Sequence, residues 1–208
     1  MLIYAVSGKS RNGKDTLYLL GKDRFHWERV AFADCLKEKV SEIYGFSDEQ
    51  MYGDLKDVPD KRYPNLIGTD MCGEYLTPRF FLQKFGKDQR DLCPKVWCSY
   101  LFNNKINKLI NNGCKRIVIT DVRFPNEIEE GDSWCRSHGV TFVTVRVERP
   151  GIYAKTGRDD ISETALDYYS DWNIKFINSS TIDRFKVGIL KSITKYESEI
   201  IKESSTCQ

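Results

Sequence analysis

Short apolar runs alternate with amphipathic stretches along this chain. Leu2 to Ser7 is apolar and ends in small residues, the pattern of a buried strand. Arg116 to Val122 holds the sharpest interior run, Ile117-Val118-Ile119-Thr120, and Thr141 to Val147 is rich in β-branched residues. Val30 to Phe32 and Trp172 to Ile177 complete five predicted strands. Between them the spacing turns helical. Lys14 to Lys22 predicts a helix, and Asp34 to Tyr44 places Leu36, Val40 and Ile43 at i, i+4 and i+7. Thr77 and Pro78 read as an N-cap and a first helical residue. Further helices are predicted over Pro94 to Asn111, Pro125 to Ser137 and Ile182 to Ile201. Ser47 to Gly73 is polar, contains Pro59 and Pro64, and reads as a loop or insertion. Strands alternating with helices predict right-handed crossovers and a mainly parallel five-stranded α/β sheet covered on both faces.

Composition narrows this picture. The 208 residues suit one domain, here with an inserted helical and loop region over about 47–112 and a lid over about 149–163. Lys and Arg total 32 against 30 Asp and Glu, a net charge of +2. That balance lacks the bulk positive charge of a nucleic-acid or membrane-surface binder. No apolar run approaches the roughly 20 residues of a membrane span. The seven cysteines are scattered without a C-x-x-C pair, and the chain has two histidines, which argues against a zinc ribbon or a redox dithiol. Reduced thiols and a cytoplasmic location are expected, with small-molecule partners, no nucleic acid and no membrane; a homodimer is left open.

The strongest chemical signal is Gly8-Lys9-Ser10-Arg11-Asn12-Gly13-Lys14, set between a predicted strand and a predicted helix. This is the G-x-x-x-x-G-K spacing of a phosphate-binding loop. The glycines permit backbone geometry that a Cβ resists, and successive N–H groups then face a phosphate at the positive end of the helix. Lys14 supplies a point charge for the β- and γ-phosphates. Asp15 follows the lysine where Ser or Thr is usual, and Thr16 comes next. A carboxylate is also a hard oxygen ligand for Mg²⁺, directly or through water.

Three other constellations carry candidate chemistry. The Ile117 to Glu127 stretch ends a strand in Thr120 and Asp121, followed by Arg123. Ligands of parallel sheets bind at the carboxyl ends of strands, so Asp121 is a candidate for the metal or its water, and Arg123 for a phosphate. On the helix after Thr77, Arg79, Gln83 and Arg90 lie within about 40° of one another, suited to a phosphate and a base edge; Gly86 weakens the expectation that this helix runs on to Arg90. Trp97 follows, an aromatic that also reads as core. Arg146, Arg149, Lys155 and Arg158 form a basic loop with hinge points at Gly151 and Gly157, followed by Glu163. A basic lid of this kind would exclude water from phosphoryl transfer. His26 and His138 have no catalytic setting.

Together these segments resemble the deoxynucleoside monophosphate kinases of bacteriophages and related viruses. The matching stretches are S-G-K-S-R-N-G-K-D-T (7–16), T-P-R-F-F-L-Q-K-F-G (77–86), I-T-D-V-R-F-P-N-E (119–127), V-R-V-E-R-P-G (145–151) and I-S-E-T-A-L (161–166). The aspartate after the loop lysine is a feature of that family. Animal phosphomevalonate kinase shares the opening motif. Where the family helix often reads L-G-T-E, this chain has Phe85-Gly86-Lys87-Asp88. The resemblance implies a P-loop NTPase fold and transfer of the γ-phosphate of ATP to a deoxynucleoside 5′-monophosphate. Gly8, Lys9, Arg11, Asn12, Gly13, Lys14, Asp15 and Thr16 would hold ATP, and Asp15, Thr16 and Asp121 would organise Mg²⁺. Arg79, Gln83, Arg90, Trp97, Asp121, Arg123 and Glu163 would face the monophosphate. Lys14, Arg123, Arg149 and Arg158 would stabilise the charge that develops on the transferred group.

Overall fold

The computed structural model describes residues 1–151 and 161–206. Its contacts divide the chain into two units, Met1–Val30 with Ile106–Gln208, and Ala31–Lys105.

The first unit is built on a five-stranded parallel sheet in the order β2-β3-β1-β4-β5. The strands are β1 (Leu2–Ser7), β2 (Glu28–Val30), β3 (Arg116–Val122), β4 (Thr141–Glu148) and β5 (Ile174–Ile177). Helix α1 (Lys14–Phe25) follows β1 directly. β1 is central and its Ile3, Tyr4, Ala5 and Val6 are fully buried, as a parallel strand covered on both faces should be. Alternation assigns the faces. Tyr4, Val6, Val118, Val143, Val145 and Val147 join Leu17 of α1 and Trp27 in one apolar cluster. Phe185, Ile189 and Ile193, on the last helix (Ile182–Thr206), complete it. Ile3, Ala5, Ile117 and Ile119 point to the opposite face and are equally buried.

That last helix is also tied to the sheet by polar contacts. Tyr4 donates its hydroxyl to Glu197 at 2.7 Å, and Arg116 forks onto the same carboxylate at 2.9 and 2.8 Å. Burial alone would raise the Glu197 carboxyl; the bonds from Arg116 and Tyr4 instead hold it below its ordinary range. Burial and the same carboxylate push the Tyr4 phenol far upward.

The second unit is helical: α2 (Phe32–Tyr44), α3 (Asp48–Tyr52), α4 (Pro78–Leu92) and α5 (Val96–Tyr100). Val40, Phe46, Met51 and Leu82 form its core, flanked by Tyr44, Tyr63, Phe81 and Phe85. Thr77 caps α4 by accepting from the Phe80 amide at 3.2 Å. α4 continues through Gly86, and that position packs closely on Leu36 of α2: a Cβ there would lie 3.0 Å from the leucine methyl.

Three further differences from the expected elements have local causes. The stretch expected as loop over 47–73 contains α3, opened by a reciprocal Ser47–Gln50 capping box. It then forms a turn organised by Asn65, whose amide donates to the carbonyls of Thr69, Cys72 and Gly73. The single helix expected over 94–111 is α5, a π-helical turn over Leu101–Ile106 and α6 (Asn107–Asn111). The wider turn carries Leu101, Phe102 and Ile106, all buried, and so re-phases the apolar stripe. β2 begins two residues earlier than expected, because Glu28 and Val30 pair with Ile117 and Ile119 while Phe32 already starts α2.

Pro125–Ser137 forms helix α7, and Ile161–Thr164 a short turn of helix, α8; the last helix is therefore α9. Among the described residues, no helix is long and apolar enough to cross a membrane. Lys155, Gly157 and Arg158, most of the expected basic lid, lie outside the described residues.

Candidate active site

β1 ends at Ser7, which pairs with Arg146 of β4 on one side and with Val122 of β3 on the other. The loop 8–13 therefore leaves the sheet between the carboxyl ends of two neighbouring strands, at the switch point where parallel sheets bind ligands. A G-x-x-x-x-G-K loop between the central strand and α1, in a 2-3-1-4-5 parallel sheet, is a P-loop NTPase fold.

Both loop glycines are required by close approach. A Cβ on Gly8 would stand 2.4 Å from the Val147 carbonyl oxygen. Gly13 has φ +109°, and a Cβ there would meet the Asn178 amide at 2.8 Å. Arg11 has φ +64°, a left-handed conformation that costs a side-chain-bearing residue energy and turns consecutive N–H groups toward one concavity. Asn12 and Asn178 hold this shape. The Asn12 amide donates to Val147 O at 3.1 Å, and the Asn178 amide to Asn12 O at 3.0 Å. Among the described residues, Asn12 Oδ1 is buried without a hydrogen-bond partner.

Lys14 folds back over the loop and donates to the carbonyls of Gly8 at 2.6 Å and Lys9 at 2.9 Å. Burial holds its ammonium below the ordinary lysine range and the nearby Arg123 adds to this, while Glu163, Asp15 and Asp121 act in the opposite sense. The lysine thus feels a second cation and three carboxylates.

Arg123 stands one residue beyond β3. Its backbone N–H, and that of Phe124, bind Glu127 Oε2 at 2.7 and 3.1 Å; Pro125 occupies the first turn of α7. The R-F-P-N-E string is therefore a local device that starts α7 and fixes where Arg123 leaves the sheet. The guanidinium contacts Glu163 Oε1 at 2.5 Å and Ser162 Oγ at 3.2 Å. Glu163 Oε2 in turn accepts the Ser10 amide of the phosphate-binding loop at 3.2 Å. Lys14, Arg123 and Glu163 are thereby brought to one edge of the sheet, with Asp15 and Asp121 in electrostatic reach of the lysine. Arg149 follows β4 and is exposed. Arg158 lies outside the described residues.

Asp15, Thr16 and Asp121 offer the hard oxygen donors that Mg²⁺ prefers. Among the described residues no cluster of three or more His, Cys, Asp or Glu could hold an ion by itself. A cation bound through one or two carboxylates and substrate phosphates needs no such cage, and the donors present fit that mode.

In the helical unit, Arg79 pairs with Asp57, its Nη2 2.8 Å from Oδ2 and its Nε on the other oxygen. Gln83 and Arg90 are exposed on α4. Trp97 is buried and donates its indole N–H to the Gly86 carbonyl at 3.4 Å, a packing role for that ring. Sequence reading passed over Asn178 and Asp167. The first follows β5 and the second follows α8, and neither stands in a motif that marks it.

No family model matches the chain. In sequence it is 27% identical, over 93% of its own length and 96% of the other's, to a protein of Acanthamoeba polyphaga mimivirus provisionally designated a deoxynucleotide monophosphate kinase. Among solved structures it is similar to a provisionally designated kinase from Chloroflexus aurantiacus, at 12% identity and TM-score 0.49, covering 93% and 96% of the two chains. It is also similar to dephospho-CoA kinase from Campylobacter jejuni, at 11% identity and TM-score 0.49, covering 96% and 99%. The chain is a P-loop protein homologous along nearly its whole length to that viral protein.

Proposed function

We propose that this protein transfers the γ-phosphoryl group of ATP to a deoxynucleoside 5′-monophosphate, giving ADP and a deoxynucleoside diphosphate. The observation that carries the reading is the meeting of Lys14 and Arg123 at one phosphate-binding loop. Two cations there, Lys14 held below its ordinary range first by burial and then by Arg123, suit a site that must hold several phosphate charges. The designation of the viral relative and the five matching segments support the monophosphate as acceptor.

In this reading the loop amides and Lys14 hold and orient the β- and γ-phosphates. Asp15, Thr16 and Asp121 would hold Mg²⁺, which would supply positive charge against those phosphates. Arg123, joined by Arg149 or Arg158, grips the oxygens on which charge develops. Glu163 fixes the Arg123 fork. On the helical unit, Arg79, Gln83 and Arg90 are assigned to the monophosphate by resemblance. Catalysis is then alignment and charge stabilisation, with little need of a general base.

The test is a coupled ADP-release assay against a panel of deoxynucleoside and ribonucleoside monophosphates, with phosphomevalonate as a rival acceptor. ADP release that depends on a deoxynucleoside monophosphate is the expected result. Release driven by phosphomevalonate, or by no added acceptor, overturns the assignment.

A further inference from the structure

Arg146 is a buried cation inside β4, its side chain 8% exposed. It donates to Ser7 Oγ at 3.1 Å and to Asp167 Oδ1 at 3.1 Å, and lies 5.6 Å above the Trp172 ring. The other oxygen of Asp167 accepts the Lys9 ammonium at 2.7 Å. One carboxylate thus joins a buried arginine under the sheet edge to the second residue of the phosphate-binding loop. Lys9 is in turn the pivot of that loop: its carbonyl accepts the Asn12 backbone N–H at 3.3 Å and Lys14 Nζ at 2.9 Å.

We propose that Asp167 is a positioning residue for ATP, bracing Lys9 against Arg146 so that the Lys9 carbonyl sets the loop turn and the place of Lys14. This deepens the proposed function and rests on its reading of the loop as the ATP site. Nothing in the motif marks Asp167, because it lies 158 positions from Lys9 in the chain. The bracing follows from connectivity. Arg146 is fixed by strand register against Ser7, so a carboxylate held on it is a stationary anchor. An ammonium drawn to that anchor fixes the backbone of its own residue.

The position and the charge of Asp167 predict opposite outcomes on removal. Deleting a negative charge beside a phosphate site should tighten ATP by simple attraction. Loss of a brace should weaken it. Lys9 and Asp167 are each about one-third exposed, so their contact is partly screened. The expected effect of Asp167→Asn is about a fivefold weakening of ATP binding, seen as a rise in the KM for ATP, with the monophosphate KM unchanged. Asn keeps an acceptor for Arg146. Lys9→Met leaves the Arg146–Asp167 pair whole and should reproduce the effect, so it carries the test if Asp167→Asn fails to fold by circular dichroism. The double variant should be no worse than either single one, and Asp167→Glu should recover part of the loss.

Direct ATP binding by calorimetry separates this inference from the reading beneath it. A parent chain that binds no ATP overturns both. A parent that binds ATP, with Asp167→Asn binding it equally well or more tightly, overturns the brace alone. Additive losses in the double variant also overturn it, because they would mean that Lys9 and Asp167 act separately.

Discussion

Arg123 and Arg79 both end on carboxylates, yet the two arginines are held in different ways. Arg123 emerges from the end of a central-sheet strand, its backbone pinned by Glu127, and its partner Glu163 also binds a loop amide. Arg79 lies on the first turn of a helix, pairs with Asp57 from a short turn of the same unit, and both side chains are more than one-third exposed. An exposed pair of this kind contributes little by itself. The contrast teaches that a guanidinium at a strand end is placed by backbone register, whereas one on a helix surface is placed only by its partner. A site assignment based on residue type alone does not separate the two.

The largest effect expected is at Lys14, which sets the scale for the sheet edge. Lys14→Ala should cost about 3–4 kcal/mol of transition-state stabilisation, or roughly 10²- to 10³-fold in kcat, with unchanged circular dichroism. Turnover within threefold of the parent would remove the loop from the chemistry.

The two arginines can then be compared directly by Arg→Lys, which keeps charge and removes the fork. Losing a charge-assisted bond costs about 1.5–3 kcal/mol, or roughly ten- to a hundredfold. Arg123→Lys should lose that much in kcat/KM for the monophosphate, with ATP KM little changed. Arg79→Lys should raise the monophosphate KM by a smaller factor. An unchanged KM would leave Arg79 as the partner of Asp57 and nothing more.

Asp15 tests whether the same edge also organises the cation. Asp15→Ala should move the midpoint of a Mg²⁺ titration of rate, at saturating ATP, by more than it moves ATP affinity. An unmoved midpoint would make Asp15 a helix-start residue favoured by the α1 dipole.

The smallest effect is a control at the other end of the sheet. Glu197→Gln should cost about 1 kcal/mol of stability, discounted because Arg116 is partly exposed, and leave both KM values alone. The folded carboxyl sits below its ordinary value of 4.5. Its stabilisation is therefore fully present above that value and is lost as pH falls through the depressed one. Thermal melts of parent and variant between pH 6 and about 3 should converge as the carboxyl is protonated. Parallel curves would show that Glu197 titrates normally.

Much of this architecture was legible in the chain itself. Leu2–Ser7, Arg116–Val122 and Pro125–Ser137 form as the patterns require, because a fully buried parallel strand and a Pro-started, Glu-capped helix are encoded by neighbouring residues. The Gly8 to Lys14 spacing likewise carries its own loop geometry, since the positions that need glycine lie within seven residues. What local pattern could not supply was anything set by partners far away. Gly86 weakens the expectation of a continuous helix, and only the fold sets Leu36 against it; the π turn at Leu101–Ile106 arises from which side chains must be buried, not from their spacing. The phosphate-binding loop's supports are of the same kind. Val147, Asp167 and Asn178 reach it across more than 130 positions, through a sheet register that exists only once β1 lies beside β4. Sequence determined the loop and the strands that bear it; tertiary structure alone decided what holds that loop in shape, because hydrogen bonds and ion pairs depend on distance in space and not on order along the chain.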